Sequence, residues 1–270
     1  MMGQPVLIEK NVKAKSGIWL LTLNCPQSSN ALSDEVIDGL LDALEQATLD
    51  ETCHAVLLTG AGKSFCAGGD VKAMKSKSGM FAGESFELKK RYQRGIQRIP
   101  LCLEQFDKPL IALVNGAAIG AGCDLCCMAD LRIASHSARF GETFARLGLV
   151  PGDGGAFFLS RIVGYTKAME MFLTAELYSA ESALQMGLVS KVTAPEDLLN
   201  EGIELALRIT QNAPIALSLV KRALKEVRTQ SIQSHLDMIS TYQGIAQRTS
   251  DHFEGVDALI EKRSPKFTGK

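Results

Sequence analysis

The sequence predicts an α/β core followed by a helical tail, and three observations carry that prediction. Short apolar runs alternate with segments of helical period from the start of the chain to about Pro195, which is the alternation of an α/β fold. Beyond Pro195 the strand signal stops, and "APIALSLVKRALKEV" and "HLDMISTYQGIAQ" both carry one apolar face at helical spacing. The chain has 270 residues, of which 46% are hydrophobic, enough to bury a substantial core. The division this predicts is a core over residues 1–195 and a helical packing layer over 196–270 that joins subunits.

Taken in order, residues 6–13 and 18–23 read as two strands. The turn-rich "CPQSSNALS" then leads into a helix. Ser33 is its predicted N-cap, Asp34 and Glu35 suit the positive end of the helix dipole, and Val36, Ile37, Leu40, Leu41 and Leu44 keep a core-facing spacing. The next stretch, "AVLLTGAGKSFCAGGDV" (residues 55–71), begins as a strand over 55–59 and ends in glycines, a lysine and a serine. It is not a nucleotide loop. The first glycine slot of a P-loop is Leu57, and the third glycine of a dinucleotide fingerprint is Phe65. What remains is the pair Gly68 and Gly69 before Asp70, a backbone that a ligand can approach closely. A polar, glycine-containing region follows over 74–85, then a helical stretch over 87–106, and Pro109 opens another apolar strand, "LIALVN".

A second small-residue cluster, "NGAAIGAGCDLCCMAD" (residues 115–130), repeats the pattern of strand, glycines and apolar helix. Two readings stand side by side: close packing of helix on strand, or a binding role. Asp124 favours the second, because a carboxylate inside "GAGCDLCCMA" is buried with no basic residue nearby in sequence. It lies three residues after Ala121, so one helical turn sets its side chain beside a ligand that touches the Ala121 N–H.

The global balance removes several function classes. A formal net charge of −1 gives no bulk attraction to nucleic acid or to an anionic membrane. No run reaches the roughly 18 apolar residues of a membrane span, and residues 1–15 lack the apolar segment of a signal peptide. The expectation is a soluble, cytoplasmic protein. Seven cysteines, mostly set in apolar sequence, fit free thiols in a reducing compartment. Cys123 and Cys126 have metal-ligand spacing but no complementary pair, so they read as small buried hydrophobes and no metal is expected.

With these motifs in place the sequence resembles the enoyl-CoA hydratase/isomerase (crotonase) superfamily. The resemblance runs through "PQSSNALS", "SFCAGGDVKAM", "KPLIALVNGAAIGAGCDLCCMADLRIAS", "ARFGETFARLGLVPGDGG", "SAESALQMGLVSKV" and "EKRSPKF". It implies a spiral of repeated ββα units, a C-terminal helical layer that assembles trimers or dimers of trimers, and an acyl-CoA substrate with no separate cofactor. The shared step is a thioester enolate whose oxygen is held by two backbone N–H groups, which fall on Gly69 and Ala121. The resemblance assigns Ala67, Asp70, Val71 and Lys72 to the CoA portion. Lys63 and Lys72 are candidate phosphate partners, and Lys262 is a candidate from a neighbouring subunit; a solvated surface role stands open for each lysine.

The first acid position of the family's hydratases falls on Asp124, and the second on Phe144, which has no proton to give. Other branches place an acid in a slot that falls on Gly152, beside Asp153. Asp153 is open between a role in the site and an exposed turn, and Glu142 reads as a polar residue at a strand end. The reaction expected is of isomerase or hydratase type with Asp124 as proton shuttle and Asp153 assisting. The alternatives are another enolate reaction, such as thioester hydrolysis or ring chemistry, and a non-catalytic acyl-CoA-binding protein.

Overall fold

A computed structural model of the chain describes residues 3–14 and 16–270. Met1, Met2 and Lys15, part of the N-terminal stretch expected to lack a targeting segment, lie outside the described residues.

The chain opens with an antiparallel pair, β1 (Val6–Glu9) and β2 (Ile18–Leu23). The first strand stops short of the expected residue 13 because Asn11 takes a left-handed conformation, φ 55°, that turns the chain out of the sheet. Helix α1 (Asp34–Leu49) starts where predicted: the Ser33 side chain accepts from the Val36 N–H. Next come β3 (Ala55–Gly60), β4 (Ser64–Cys66) and α2 (Val71–Ser76). The single helix expected over 87–106 is two, α3 (Ser85–Arg94) and α4 (Arg98–Gln105), since Gly95 leaves helical geometry at φ −104°, ψ −112°.

The strand–strand–helix motif then repeats. It gives β5 (Leu110–Val114), β6 (Ala117–Ile119) and α5 (Ala121–Met128), and then β7 (Leu131–Ser135), β8 (Arg139–Gly141) and α6 (Gly155–Val163). After α7 (Tyr165–Thr174) come β9 (Tyr178–Ser179), α8 (Ala180–Gln185) and β10 (Lys191–Thr193), and from there only helices: α9 (Leu198–Thr210), α10 (Pro214–Glu226), α11 (Ile232–Ala246) and α12 (Ser250–Glu261). In the three units β3–β4, β5–β6 and β7–β8 the first strand joins a large sheet, ordered β1-β2-β3-β5-β7-β10, and the second a smaller one, β4-β6-β8-β9. All pairings are parallel except β1 with β2 and β8 with β9.

The large sheet is buried on both faces, as parallel sheets are. Trp19, Leu21 and Leu23 point to the layer containing α1, α4, α5 and α6, while Ile18 and Leu20 alternate to the other face, under Leu198, Ile203 and Ala206 of α9. Helix α10 is tied down by two lysines. Lys221 pairs with Asp130 at 2.7 Å, and Lys225 donates to the Leu103 and Glu104 carbonyls at 2.6 and 2.9 Å, completing the C-terminus of α4. Among the described residues no helix is long and apolar enough to cross a membrane.

Candidate active site

Parallel pairing makes the C-terminal ends of β4, β6 and β8 coincide. The registers run Ser64 to Ala117 and Cys66 to Ala118 on one side, and Ala117 to Arg139 through Ile119 to Gly141 on the other. The three loops that follow therefore leave the small sheet together. They are held close: the Gly120 N–H donates to the Gly141 carbonyl at 2.7 Å. Gly68 has φ +89°, and a Cβ there would stand 2.6 Å from the Ile119 carbonyl and 3.4 Å from the Ala121 nitrogen. No side chain fits between the first two loops. Among the described residues the N–H groups of Gly69 and Ala121 donate to no backbone or side-chain acceptor. Ala121 opens α5, so its N–H also carries the positive end of that helix.

One turn further along α5 stands Asp124, fully buried. Against it the structure sets two more carboxyls. Asp153 is 3% exposed, which settles its placement in favour of the interior rather than an exposed turn. Glu142, expected as a simple strand-end residue, is fully buried as well and faces both Asp124 and the Cys123 thiol. None of the six carboxyl oxygens has a hydrogen-bond partner. Ionised carboxylates only accept, so these groups satisfy one another only when some are protonated. Burial raises Asp124 well above the usual carboxylate range, and the charges of Asp153 and Glu142 raise it further. Burial also raises Asp153, and pushes Glu142 up to about 8.

The room for this cluster is made by Gly155, where a Cβ would fall 1.7 Å from Asp124 Oδ1. The turn bearing Asp153 is fixed from α3 and from the start of α4. Gln97 Nε2 donates to the Gly152 carbonyl at 2.7 Å, and the Tyr92 ring lies 2.7 Å from where a Gly152 Cβ would be. Phe144 brings its ring 3.7 Å from where a Gly120 Cβ would be, so an apolar surface faces the loop between the two free N–H groups and the third loop.

The other residues singled out in the sequence are less enclosed. Asp70 caps α2, its Oδ1 accepting from the Lys72 and Ala73 N–H groups at 2.8 and 3.1 Å and its carbonyl from the Met74 N–H at 2.9 Å. The Ala67 N–H is taken by the Ser29 carbonyl at 3.0 Å. Val71 is 57% exposed. Lys63, Lys72 and Lys262 are exposed, the last at the C-terminus of α12. All seven cysteines are free thiols; Cys123, Cys126 and Cys127 are buried along α5.

Comparison with known proteins bears on this arrangement. A profile of the family described as enoyl-CoA hydratase/isomerase matches residues 13–270. A short-chain-enoyl-CoA hydratase of Clostridium acetobutylicum is 38% identical over 96% of this chain and 95% of its own length. A 1,2-epoxyphenylacetyl-CoA isomerase of Escherichia coli is 36% identical over 95% of this chain and 97% of its own. The crystal structure of an enoyl-CoA hydratase from Bacillus anthracis superposes with a TM-score of 0.91 at 31% identity, covering 99% of this chain and all of that one.

Proposed function

Because the chain belongs to the enoyl-CoA hydratase/isomerase family and has the crotonase fold, we propose that it forms an enolate from an acyl-CoA thioester and uses it to move a double bond. The names of its relatives include both hydratases and an isomerase, so the choice rests on the site. The observation that carries it is the clustering of Asp124 with Asp153 and Glu142 while the slot beside Gly120 is filled by the ring of Phe144.

Deprotonation next to a thioester carbonyl places nearly a full negative charge on its oxygen. The Gly69 and Ala121 N–H groups are free to receive that oxygen, and each such preorganised donor is commonly worth about 3 kcal/mol. Asp124 takes the proton from the carbon beside the carbonyl, since it stands one turn from Ala121 and its raised pKa makes it a stronger base than a free carboxylate. Asp153 shares that proton. Return of the proton at a different carbon completes an isomerisation. Addition of water across the double bond is better served by two acids that hold the water between them, and Phe144 supplies none.

The CoA portion runs along the first loop, past the Ala67 carbonyl and the backbone of Asp70 and Val71 at the start of α2, with the exposed Lys63 and Lys72 near enough in sequence to meet its phosphates. Lys262 joins from a second copy. We place assembly in the tail, as a trimer or dimer of trimers, and the enzyme in a reducing cytoplasm suited to seven free thiols.

Phe144→Glu tests the reading of the site. A carboxylate at that position adds an acid where the family's hydratases keep their second one, so the folded variant gains hydration of crotonyl-CoA relative to the parent, at a stability cost of about 3 kcal/mol. A folded variant that gains no hydration contradicts the assignment of that position.

A further inference from the structure

We propose that Gln97 is a positioning residue of this site: the hydrogen bond from its side-chain amide to the Gly152 carbonyl fixes the turn that carries Asp153 and so holds that carboxyl beside Asp124. The proposal rests on the reading of Asp153 as the group that shares the travelling proton.

It starts from how little else holds the turn. Residues 145–150 are exposed, and Asp153 is the first buried residue after them. Among the described residues, 150–153 make no backbone hydrogen bond to any other element. The tie they do have is the bond from Gln97 Nε2 to the Gly152 carbonyl, 2.7 Å long and reaching 55 residues along the chain. Beyond the turn, Gly154 at φ +102° caps α6, and Gly155 brings that helix so close to α5 that a Cβ there would fall 1.7 Å from Asp124 Oδ1. Asp153 is therefore set beside Asp124 by two glycines on one side and by Gln97 on the other.

Gln97 is itself held. A Cβ at Gly95 would stand 2.7 Å from the Arg91 carbonyl, so the break between α3 and α4 needs glycine. The chain crosses that break with the Gln97 N–H donating to the Tyr92 carbonyl at 3.1 Å and with Ile96 and Ile99 buried on either side. Tyr92 lays its ring on Gly152 and meets Phe81 edge to face, with ring centroids 6.5 Å apart. Phe81 and Met74 in turn lie 3.5 and 2.7 Å from where a Gly69 Cβ would be. One segment, residues 71–97, thus touches both the loop that offers the Gly69 N–H and the turn that carries Asp153. Neither α2 nor α3 buries a residue, so the grip of this segment on the site depends on these contacts, and Gln97 makes the directional one. Loss of a bond that positions a proton-sharing group lowers kcat with little change in KM.

The test follows a β,γ-enoyl-CoA with the full chain. It compares Gln97→Leu, which has no donor, with Gln97→Glu, whose carboxyl donates only when protonated, and uses Asp153→Asn as the reference for the underlying reading. The expected result for Gln97→Leu is a fall in kcat of about twentyfold with KM within about twofold. Gln97→Glu is expected to match Gln97→Leu at about pH 9 and to regain about fivefold over it as pH falls through the introduced carboxyl's range, about 6 to 4. The ratio of the two variants cancels the pH dependence they share. The double variant carrying Gln97→Leu and Asp153→Asn is expected to be no slower than Asp153→Asn alone, because a residue that acts through Asp153 then has nothing left to position. If Gln97→Leu keeps the parental kcat while Asp153→Asn is impaired, or if the two losses multiply in the double variant, the proposal is overturned and the reading of Asp153 stands. If Asp153→Asn turns over normally, that reading fails and this proposal with it. A Gln97→Leu chain that does not fold moves the decision to Gln97→Glu, where a pH profile parallel to the parent's overturns the proposal and recovery toward the parent at low pH supports it.

Discussion

Three buried carboxyls with no ion-pair partner among the described residues give the site a pH signature that separates it from an ordinary core. Glu142 is held at about 8 against an ordinary 4.5. A raised carboxyl favours the folded state while it is protonated, so its contribution is complete below the unfolded value and is lost as pH rises through the folded one. Asp124 and Asp153 are raised as well and act in the same direction. The ligand-free protein is therefore expected to lose stability between about pH 5 and pH 9, and Glu142→Gln to flatten that slope. Urea unfolding of both proteins across the range checks it; parallel slopes would show that Glu142 keeps no proton in the fold.

At the scale of elements, the site is a by-product of repetition. Each strand–strand–helix unit adds one short strand to the small sheet, and three such strands in parallel register deliver three loops to one place. Helix α6 then closes over α5, and Gly155 is the point of closest approach. A methyl group there would fall 1.7 Å from Asp124 Oδ1. Gly155→Ala must displace either the carboxyl or the helix, at a cost of about 1 to 3 kcal/mol, and kcat is expected to fall about thirtyfold or more with CoA-ester affinity nearly kept. A folded Gly155→Ala enzyme with parental kcat would separate activity from the placement of Asp124.

Much of this was legible in the residues. Ser33 caps its helix, the strand at 18–23 falls where the apolar run lies, and Asp124 is buried without a basic partner. Those features depend on neighbours in sequence. Asp153 could not be placed that way, because its burial comes from Tyr92 and Gln97 gripping a turn that lies 55 residues beyond Gln97. Glu142 was missed for a related reason: a polar residue after a strand usually meets solvent, and only the stacking of α5 on the third loop covers this one. The signal was present in the repeat itself, since Gly141 stands in the third unit where Ile119, just before the Gly120–Ala121 turn, stands in the second.

Across the whole molecule, the tail merges with the core at α9, whose Leu198, Ile203 and Ala206 lie under the large sheet, and is attached beyond it. Helix α10 reaches the core through Lys221 and Lys225, and a cavity of about 640 Å³ lined by residues such as Met128, Phe158, Leu217 and Leu224 separates it from the ends of α5 and α6. Its outer surfaces remain apolar: Ile232, Leu236 and Ile245 on α11 and Phe253, Leu259 and Ile260 on α12 are all exposed. Faces of that extent are covered in stable proteins, and closed rings of identical chains cover them with one repeated contact. Sedimentation at micromolar concentration is expected to give a trimer or a dimer of trimers, and a stable monomer would refute the assignment of the tail to assembly.

The central claim is that a cluster of buried acids with an apolar Phe144 beside Gly120 directs an enolate toward isomerisation rather than hydration. The most direct measurement follows a β,γ-enoyl-CoA and crotonyl-CoA with the unmodified enzyme in heavy water, reading products and deuterium by mass. The account predicts that the first substrate is converted to the conjugated α,β-enoyl-CoA, with deuterium entering beside the thioester or at the far carbon. It predicts only slow hydration of the second. Efficient conversion of crotonyl-CoA to the 3-hydroxyacyl product, with slow movement of the β,γ double bond, would contradict it.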